Sequence, residues 1–295
     1  MADETFPIFD AHAHFSQAYL DQLLASYEQC GVAGGINLWW PDYHGAGDGD
    51  SHFADFLATL GRRGLSRFVP FYWPNWRAFG WQPERFVEIL CADMRRYAAM
   101  GCAGLKVWKD LGMFIVHPDG TPATMDDERL EPVWSAAAEL GWTVAVHQAD
   151  PSPNWAAKTR TGLLREEVFR RRDRVLAAHA DLRFILCHNA NDIESVQAWA
   201  DLLERMPNCL ADLSRDPLRH DTLADVRAFL EAHADRILLG TDLLMPDDRP
   251  PDHEWNLENI YAPWRRRLLS FGLRDEVLHK ITWGNGERLF LTGRG

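Results

Sequence analysis

The sequence predicts an α/β protein, a single-domain (β/α)8 TIM barrel with its active site at the C-terminal ends of the strands. Short apolar runs alternate with longer amphipathic stretches, and no Ser-, Gly- or Pro-rich linker divides the 295 residues. This alternation implies parallel strands joined by right-handed crossovers. Eight such units in a chain of this length match the size of the barrel. We therefore expect residues 1–295 to form one barrel domain, regular or distorted.

The strand candidates are short runs rich in β-branched and other apolar residues. They are Pro7–His12, Gly34–Trp39, Phe68–Trp73, Ala103–Trp108, Thr143–His147, Arg183–His188, Cys209–Leu213 and Arg236–Thr241. An open doubly wound sheet is the alternative architecture. No Gly-rich phosphate-binding turn follows any of these runs, so the barrel is favoured.

Amphipathic stretches between these runs predict helices. Examples are Tyr19–Cys30, Pro83–Met100, Arg129–Leu140, Arg165–Ala180, Ile193–Met206 and Leu223–Ala234. The Gly- and Asp-rich segment Tyr43–Ser51 predicts a loop inserted after the second strand. We expect residues 40–51, 74–83 and 150–161 to close over a ligand.

Composition excludes several classes of partner. The net charge of −12 argues against nucleic acid, because phosphate binding needs a basic face. No apolar run approaches the roughly 18 residues that span a bilayer, and the first residues lack a secretory pattern. The five scattered cysteines predict free thiols in a reducing cytoplasm. We expect a cytoplasmic protein that binds a small-molecule substrate, and a homodimer is compatible with the sequence.

Residue types that ligate metals recur at the ends of the predicted strands. His12 and His14 end the first strand, where alternation places both side chains on one side. His147 and His188 end the fifth and sixth strands, and Asp242 follows the eighth. Each is commonly structural when it stands alone, as a capped histidine or a helix N-cap. Their shared place at one end of the barrel favours a metal site, and imidazole suits zinc, iron or copper.

This pattern resembles the amidohydrolase superfamily, which has His-x-His on strand one, Lys on strand four, His on strands five and six, and Asp on strand eight. Lys106 occupies the strand-four position. The segments 207–214, 235–242 and 280–290 are also similar to that superfamily. Together they resemble its amidohydrolase-related branch, which includes aminocarboxymuconate semialdehyde decarboxylase-like proteins. The resemblance covers essentially the whole chain, but its motifs are poor guides to the substrate.

The resemblance implies a divalent metal, with Zn²⁺ expected and Mn²⁺ or Fe²⁺ as alternatives. In the favoured arrangement one ion is held by His12, His14, His147 and Asp242, and Asp242 also accepts a proton from the water that the ion activates. His188 then orients this water, stabilises the developing oxyanion as an acid, or serves as a fifth ligand.

The alternative arrangement has two ions. It places the second ion on His147 and His188, bridged by Lys106 as a carbamate. A free lysine ammonium is not a ligand, so carbamylation would be required. If Lys106 stays an ammonium, it is a candidate to bind a substrate carboxylate or oxyanion, and Lys109 is another.

Aromatic residues and an amide complete the predicted pocket. Trp39, Trp73 and Trp108 follow strand ends, where flat apolar side chains would wall the pocket and suit a ring-bearing or conjugated substrate. Asn189, which follows His188 where many relatives soon have Gly, is predicted either to face the substrate or to cap the next helix.

Three functions follow from these residues. The first is a metal-dependent hydrolase acting on a C–N or C–O bond (amide, lactone or ester) of a small aromatic or carboxylate-bearing molecule. The second is a non-oxidative decarboxylase or hydratase acting on an aromatic or conjugated carboxylic acid. The third is a non-catalytic barrel, against which the complete ligand set argues. Lys106 and Lys109 favour hydrolysis, whereas the aromatic residues favour decarboxylation.

Overall fold

All the strands of the structure belong to one parallel sheet. The computed structural model describes residues 6–39, 49–150, 155, 157–190, 196–214, 221–245 and 256–292. In these residues the sheet runs in the order β8-β7-β6-β5-β4-β3-β2-β1-β9. The strands are β1 (Ile8–Phe15), β2 (Val32–Leu38), β3 (Phe68–Tyr72), β4 (Gly104–Val107), β5 (Thr143–Val146), β6 (Arg183–Leu186), β7 (Cys209–Asp212), β8 (Ile237–Leu238) and β9 (Leu243–Met245).

The ring of strands is closed by the segment from β8 to β9. On one side Leu213 N donates to Leu238 O at 2.9 Å, and on the other Ala11 N donates to Leu239 O at 2.8 Å. Asp242 N then donates to His12 O at 2.8 Å. Thus β8 and β9 are two halves of one interrupted eighth strand, which the prediction Arg236–Thr241 covered only in part. The predicted (β/α)8 barrel is confirmed in a distorted form.

Helices cover the outside of the barrel. They are α1 (Leu20–Gln29), α2 (Gly49–Arg62), α3 (Arg77–Trp81), α4 (Pro83–Ala98), α5 (Glu131–Glu139), α6 (Arg165–Ala178), α7 (Val196–Arg205), α8 (Leu223–Ala232), α9 (Glu258–Ser270) and α10 (Asp275–His279). No described helix is long and apolar enough to cross a membrane.

Two predictions about loops need correction. The prediction of a loop at Tyr43–Ser51 is wrong for its last residues, because α2 begins at Gly49. Residues 43–48 lie outside the described part of the chain. The predicted loop 74–83 contains the short helix α3. The predicted helix Ile193–Met206 is described only from Val196 onward.

Apolar side chains fill the barrel from the end opposite the strand C-termini. Phe9 and Phe71 point inward, and Phe290 from the C-terminal segment packs on both, with ring centroids 5.8 and 6.1 Å away. A second apolar layer lies between strands and helices and contains Ile8 and Phe15 from the two ends of β1. The polar side chains at the strand ends therefore lie next to a closely packed apolar interior that excludes water.

The buried carboxylate of Asp10 joins the first and last strands. Its Oδ1 accepts from the backbone N of His12 and of Thr241, each at 3.0 Å. Its Oδ2 accepts from Thr241 Oγ1 and from the Tyr261 hydroxyl of α9, each at 2.6 Å. The register of β1 against β2 shifts between Asp10 and Ala13. The shift and these bonds hold the stretch that carries the histidine pair.

We expect Gly104→Ala to destabilise the fold. A Cβ atom at Gly104 would lie 2.5 Å from Phe71 Cε2 and would also clash with Thr143 O, a backbone atom that cannot easily move. Overpacking of this kind costs roughly 1–3 kcal/mol. Urea denaturation should show a lower unfolding free energy.

Gly61→Ala is the matched control for this substitution. Gly61 lies in α2, and a Cβ atom there meets nothing within 4 Å. Alanine favours the helix over glycine, so we expect a gain of about 0.5 kcal/mol. Equal stability changes for the two variants would contradict the close packing inside the barrel.

Candidate active site

The structure brings the predicted histidines and Asp242 together at the C-terminal ends of the strands. His12 Nε2 and His14 Nε2 lie 3.3 and 3.4 Å from the same oxygen, Asp242 Oδ1. His188 Nε2 lies 3.2 Å from His147 Nδ1. The His12 and His188 ring centroids are 4.8 Å apart, which joins the two pairs into one buried cluster.

Hydrogen bonds on the far side of two rings decide which nitrogen faces Asp242. His12 Nδ1 lies 2.8 Å from Asp212 Oδ2, and His14 Nδ1 lies 2.6 Å from Leu38 O. Both partners can only accept, so each Nδ1 carries a proton and donates. Histidines that ligate metals are typically held in this way, by a carboxylate or a backbone carbonyl on the other nitrogen. The Nε2 atoms of His12 and His14 are therefore presented as ligands.

The spacing of the facing atoms fits a cation. Charge-assisted hydrogen bonds are usually about 2.7–2.9 Å long, whereas Nε2 of His12 and of His14 lie 3.3 and 3.4 Å from Asp242 Oδ1. Tetrahedral nitrogen and oxygen ligands at zinc distances are roughly 3.3 Å from one another. Ligand atoms of His12, His14 and Asp242 all lie within 4.8 Å of one another. The donor set and its spacing thus suit a divalent metal ion.

Asp212 organises this cluster, and the sequence had not singled it out. Its side chain is 0% exposed. Besides His12 Nδ1, the carboxylate accepts from the backbone N of His188 at 2.8 Å and of Ser214 at 3.1 Å. It also accepts a short hydrogen bond from Ser214 Oγ. The signal was available, because Asp212 and Ser214 come at the end of the apolar run of the seventh strand, as the predicted ligands do in their own strands.

The charges of these groups are strongly coupled. Burial and the Lys106 charge lower the pKa of His12, but Asp212 outweighs them and raises it to about 10. Burial lowers the pKa of His14 to about 4. Burial opposes ionisation of Asp212, yet the charge and hydrogen bond of His12 bring its pKa down to about 2. The cluster therefore holds a positive charge on His12 opposite two ionised carboxylates, Asp212 and Asp242.

Two strand ends have left-handed backbone at residues other than glycine. Asp242 has a φ of 56°, and His188, Asn189 and Ala190 have φ values of 53°, 58° and 61°. Such conformations are uncommon outside glycine and cluster at functional sites. Arg172 Nη1 donates to Ala190 O at 3.0 Å and, with Asp212, holds the second of these turns. The predicted substrate residue Asn189 lies buried within that turn.

Lys106 lies inside the barrel next to the imidazoles. Its Nζ is 3.1 Å from Cys187 Sγ and 6.0 Å from the Trp73 ring. It is 1% exposed, and its charge lowers the pKa of His14 and His147, although burial is the larger cause for both. Cys187 was not predicted, yet it groups with His12 and Asp212 in the same interior layer.

The predicted aromatic wall divides into two parts. Trp73 lies 5.7 Å from His14 and 5.5 Å from Trp108, measured between ring centroids. These two indoles therefore stand beside the imidazoles. Trp39 instead packs on Phe53 and Phe56 at 5.3 and 5.1 Å, in the apolar layer between the strands and the helices.

A second charged group lies beside the cluster. Lys109 follows the end of β4, which closes at Val107. Lys109 Nζ lies 2.5 Å from Asp150 Oδ1 and 5.3 Å from the centre of the Trp108 ring. His147 Nε2 is 3.8 Å from the same carboxylate oxygen. The Lys109 ammonium group therefore lies beside the Trp108 ring of the aromatic wall.

Comparison with known proteins places this chain in a family. The amidohydrolase family model matches residues 9–291. The chain belongs to the amidohydrolase family, and its resemblance to the amidohydrolase-related branch is confirmed. It is an enzyme of this superfamily, whose members are metal-dependent. Among curated proteins, no match was found.

Solved structures share the fold at low identity. A dihydroxybenzoic acid decarboxylase from Polaromonas sp. JS666, with bound manganese and 2-nitroresorcinol, is 19% identical with a TM-score of 0.65, covering 98% of each chain. A 2,6-dihydroxybenzoate decarboxylase complexed with 2,6-dihydroxybenzoate is 18% identical with a TM-score of 0.62, covering 96% of this chain and 98% of that one.

A third solved structure is that of 4-oxalomesaconate hydratase from Rhodopseudomonas palustris. It is 12% identical with a TM-score of 0.58 and covers 96% of this chain and 95% of its own. At these identities the likeness shows a shared fold.

Replacing Asp212 should weaken metal binding without removing a ligand. In Asp212→Asn one carboxylate oxygen becomes an amide NH2 group, so either His12 or the pair His188 and Ser214 loses its acceptor. Loss of a partner that orients a ligand typically costs 10–100-fold in affinity, roughly. Competition with a chromophoric chelator over a range of pH measures Zn²⁺ affinity and separates this loss from the change in proton competition at His12. The exposed Asp201→Asn is the control, and an unchanged affinity in Asp212→Asn would contradict the assignment.

Metal affinity should rise with pH. Because Asp212 raises the pKa of His12 to about 10, His12 must release one proton before its Nε2 can bind a metal. With a pKa of about 4, His14 is already neutral. Affinity for Mn²⁺ should thus increase roughly tenfold per unit between about pH 6 and 8. Calorimetry in buffers of different ionisation enthalpy should find one proton released; none released would exclude His12 as a protonated ligand.

Proposed function

We propose that this protein is a metal-dependent hydrolase that cleaves an amide, lactone or ester bond in a small aromatic molecule bearing a carboxylate. One observation carries the proposal. The Nε2 atoms of His12 and His14 converge on Asp242 Oδ1 while Asp212 and Leu38 O hold their opposite nitrogens. This arrangement supports a preorganised cation site at a barrel mouth, where metal-assisted hydrolysis requires one.

Four residues would hold the ion: His12, His14, His147 and Asp242. When bound, a divalent ion, which we expect to be Zn²⁺, supplies an activated water nucleophile and polarises the scissile carbonyl. Asp242 is the most exposed member, at 16% against 1% for His12. Its ionised carboxylate faces the mouth and can accept the proton of the nucleophile. His188 lies against His147, with its Nε2 3.2 Å from His147 Nδ1, and would be the second candidate to accept that proton.

One ion is favoured over two. A second ion on His147 and His188 would require Lys106 as a bridging carbamate. The Lys106 ammonium lies 3.1 Å from Cys187 Sγ, a contact that a free lysine can make as a donor. Metal content of the purified protein distinguishes one equivalent from two.

The wall beside His14 suits the proposed substrate. The partly exposed Trp108 offers flat apolar surface for a ring, and the buried Trp73 packs against it. Lys109, held between Trp108 and Asp150, offers a cation for a carboxylate. Asn189 and Trp39 were also predicted to contact the substrate, and substitution of each can test this.

Non-oxidative decarboxylation of an aromatic acid is the second candidate. The indole pair next to the imidazoles favours it, since an arene carboxylate could place its ring there and its carboxylate toward the cluster. Three of the similar structures are dihydroxybenzoate or dihydroxybenzoic acid decarboxylases. In this function the same residues would hold the ion, and the ion would bind the substrate's carboxylate instead of supplying a water nucleophile.

Metal removal and product analysis test both candidates. The protein is stripped with a chelator, reloaded with Zn²⁺ or Mn²⁺, and supplied with aryl carboxylates that carry an amide, ester or lactone. Hydrolysis predicts cleavage without CO₂ release, whereas decarboxylation predicts CO₂ from hydroxylated benzoates. Activity that survives complete metal removal would contradict both candidates.

Lys109→Met should lower kcat/KM for anionic substrates more than for neutral ones. Loss of a charged partner for a carboxylate costs roughly 1.5–3 kcal/mol, or about 10- to 100-fold in kcat/KM. A neutral analogue, the corresponding methyl ester or amide, should be little affected. Lys280→Met, which removes a half-exposed surface lysine paired with Asp235, is the control. An equal loss for both substrates would mean that Lys109 does not bind the carboxylate.

A further inference from the structure

We propose that Ser214 is a positioning residue that holds His188 in the tautomer with its proton on Nδ1, which leaves Nε2 as a proton acceptor facing the imidazole cluster. The consequence for turnover rests on the proposed hydrolysis. The tautomer itself follows from counting hydrogen-bond donors and acceptors around buried groups.

The hydroxyl of Ser214 donates its proton to Asp212. A carboxylate oxygen can only accept, and Asp212 Oδ1 forms a short hydrogen bond with Ser214 Oγ. Asp212 is kept ionised, because its other oxygen lies 2.8 Å from His12 Nδ1. A serine hydroxyl has one proton, so Ser214 Oγ can then only accept from its remaining neighbours.

Among the described residues, His188 is that neighbour, and its backbone N also donates to Ser214 Oγ at 3.2 Å. Its Nδ1 lies 2.7 Å from Ser214 Oγ, so Nδ1 must carry the hydrogen and donate it. A neutral imidazole has a single ring proton, which leaves a lone pair on Nε2. This nitrogen lies 3.2 Å from His147 Nδ1, on the side of the ring away from Ser214.

One carboxylate thus holds His188 in two ways. Asp212 Oδ1 accepts from the His188 backbone N at 2.8 Å, which supports its left-handed φ of 53°. The same oxygen also accepts from Ser214 Oγ, and Ser214 Oγ in turn accepts from Nδ1 of the His188 ring. Ser214 is 3% exposed, so solvent does not readily replace its hydroxyl. In the other tautomer the lone pair would lie on Nδ1, buried against Ser214 and useless to a substrate.

The tautomer can be measured directly. Protein labelled with ¹⁵N-histidine, free of metal, is examined by two-bond proton–nitrogen correlation, in which the two neutral tautomers give different cross-peak patterns. The His188 signals are assigned by their loss in His188→Gln. We expect the Nδ1–H pattern at His188 in the wild-type protein. The Nε2–H pattern would overturn the proposal, whatever the activity.

Three variants test the role of the hydroxyl. Ser214→Ala should show a mixture of tautomers at His188 and a kcat lowered by about 10²-fold, with KM and metal content little changed. Ser214→Thr keeps the hydroxyl and should restore the Nδ1–H pattern and most of kcat. Ser135→Ala, in which an exposed serine of α5 loses its bond to Glu131, should change neither measurement.

The outcomes separate this proposal from the proposed function. An unchanged tautomer in Ser214→Ala, or an unchanged kcat despite a changed tautomer, overturns the positioning role. If no substrate is hydrolysed while His188 shows the Nδ1–H pattern in the wild type and loses it in Ser214→Ala, the tautomer assignment is supported and hydrolysis is the part that fails.

Discussion

The buried carboxylate of Asp212 is the group on which the site depends. It meets the ring of His12, the backbone of His188 and both donors of Ser214, and so connects the first, sixth and seventh strands. An ionised carboxylate removed from water is costly unless its lone pairs are satisfied. These four donors satisfy them, and in return each donor is fixed in one orientation. A cluster of imidazoles in a barrel mouth needs such a group, because a histidine ring can otherwise turn or change tautomer.

Asp10 has a parallel role in the scaffold. Its four bonds join β1 to the Thr241 turn and to Tyr261 of α9, where the barrel closes. Closure there divides the eighth strand, and Asp242 takes up a left-handed conformation between its halves. Local backbone strain is tolerated when surrounding bonds over-determine it. The break lets the Asp242 carboxylate meet the histidines of the neighbouring strand.

The electrostatics of the same cluster suit a cation. Asp212 and Asp242 oppose a positive His12, while the other imidazoles are kept neutral by burial. A proton on His12 and a metal ion satisfy the same negative charge, which is why the two compete. Lys106 and Cys187 contact each other inside the barrel. They lie between the apolar residues that fill the barrel and the imidazole cluster.

The sequence alone determined the barrel and where most of the proposed ligands lie. Period-two alternation and position after an apolar run place His12, His14, His147, His188 and Asp242 at one end of parallel strands. Tertiary structure decided the contacts between residues distant in the chain and the direction of individual side chains, which periodicity does not encode. Asp212 and Ser214 matter through contacts with residues distant in the chain, and Trp39 turns into the helix layer while Trp73 faces the histidines. The split eighth strand depends on ring closure, a constraint that acts only when the first and last strands meet.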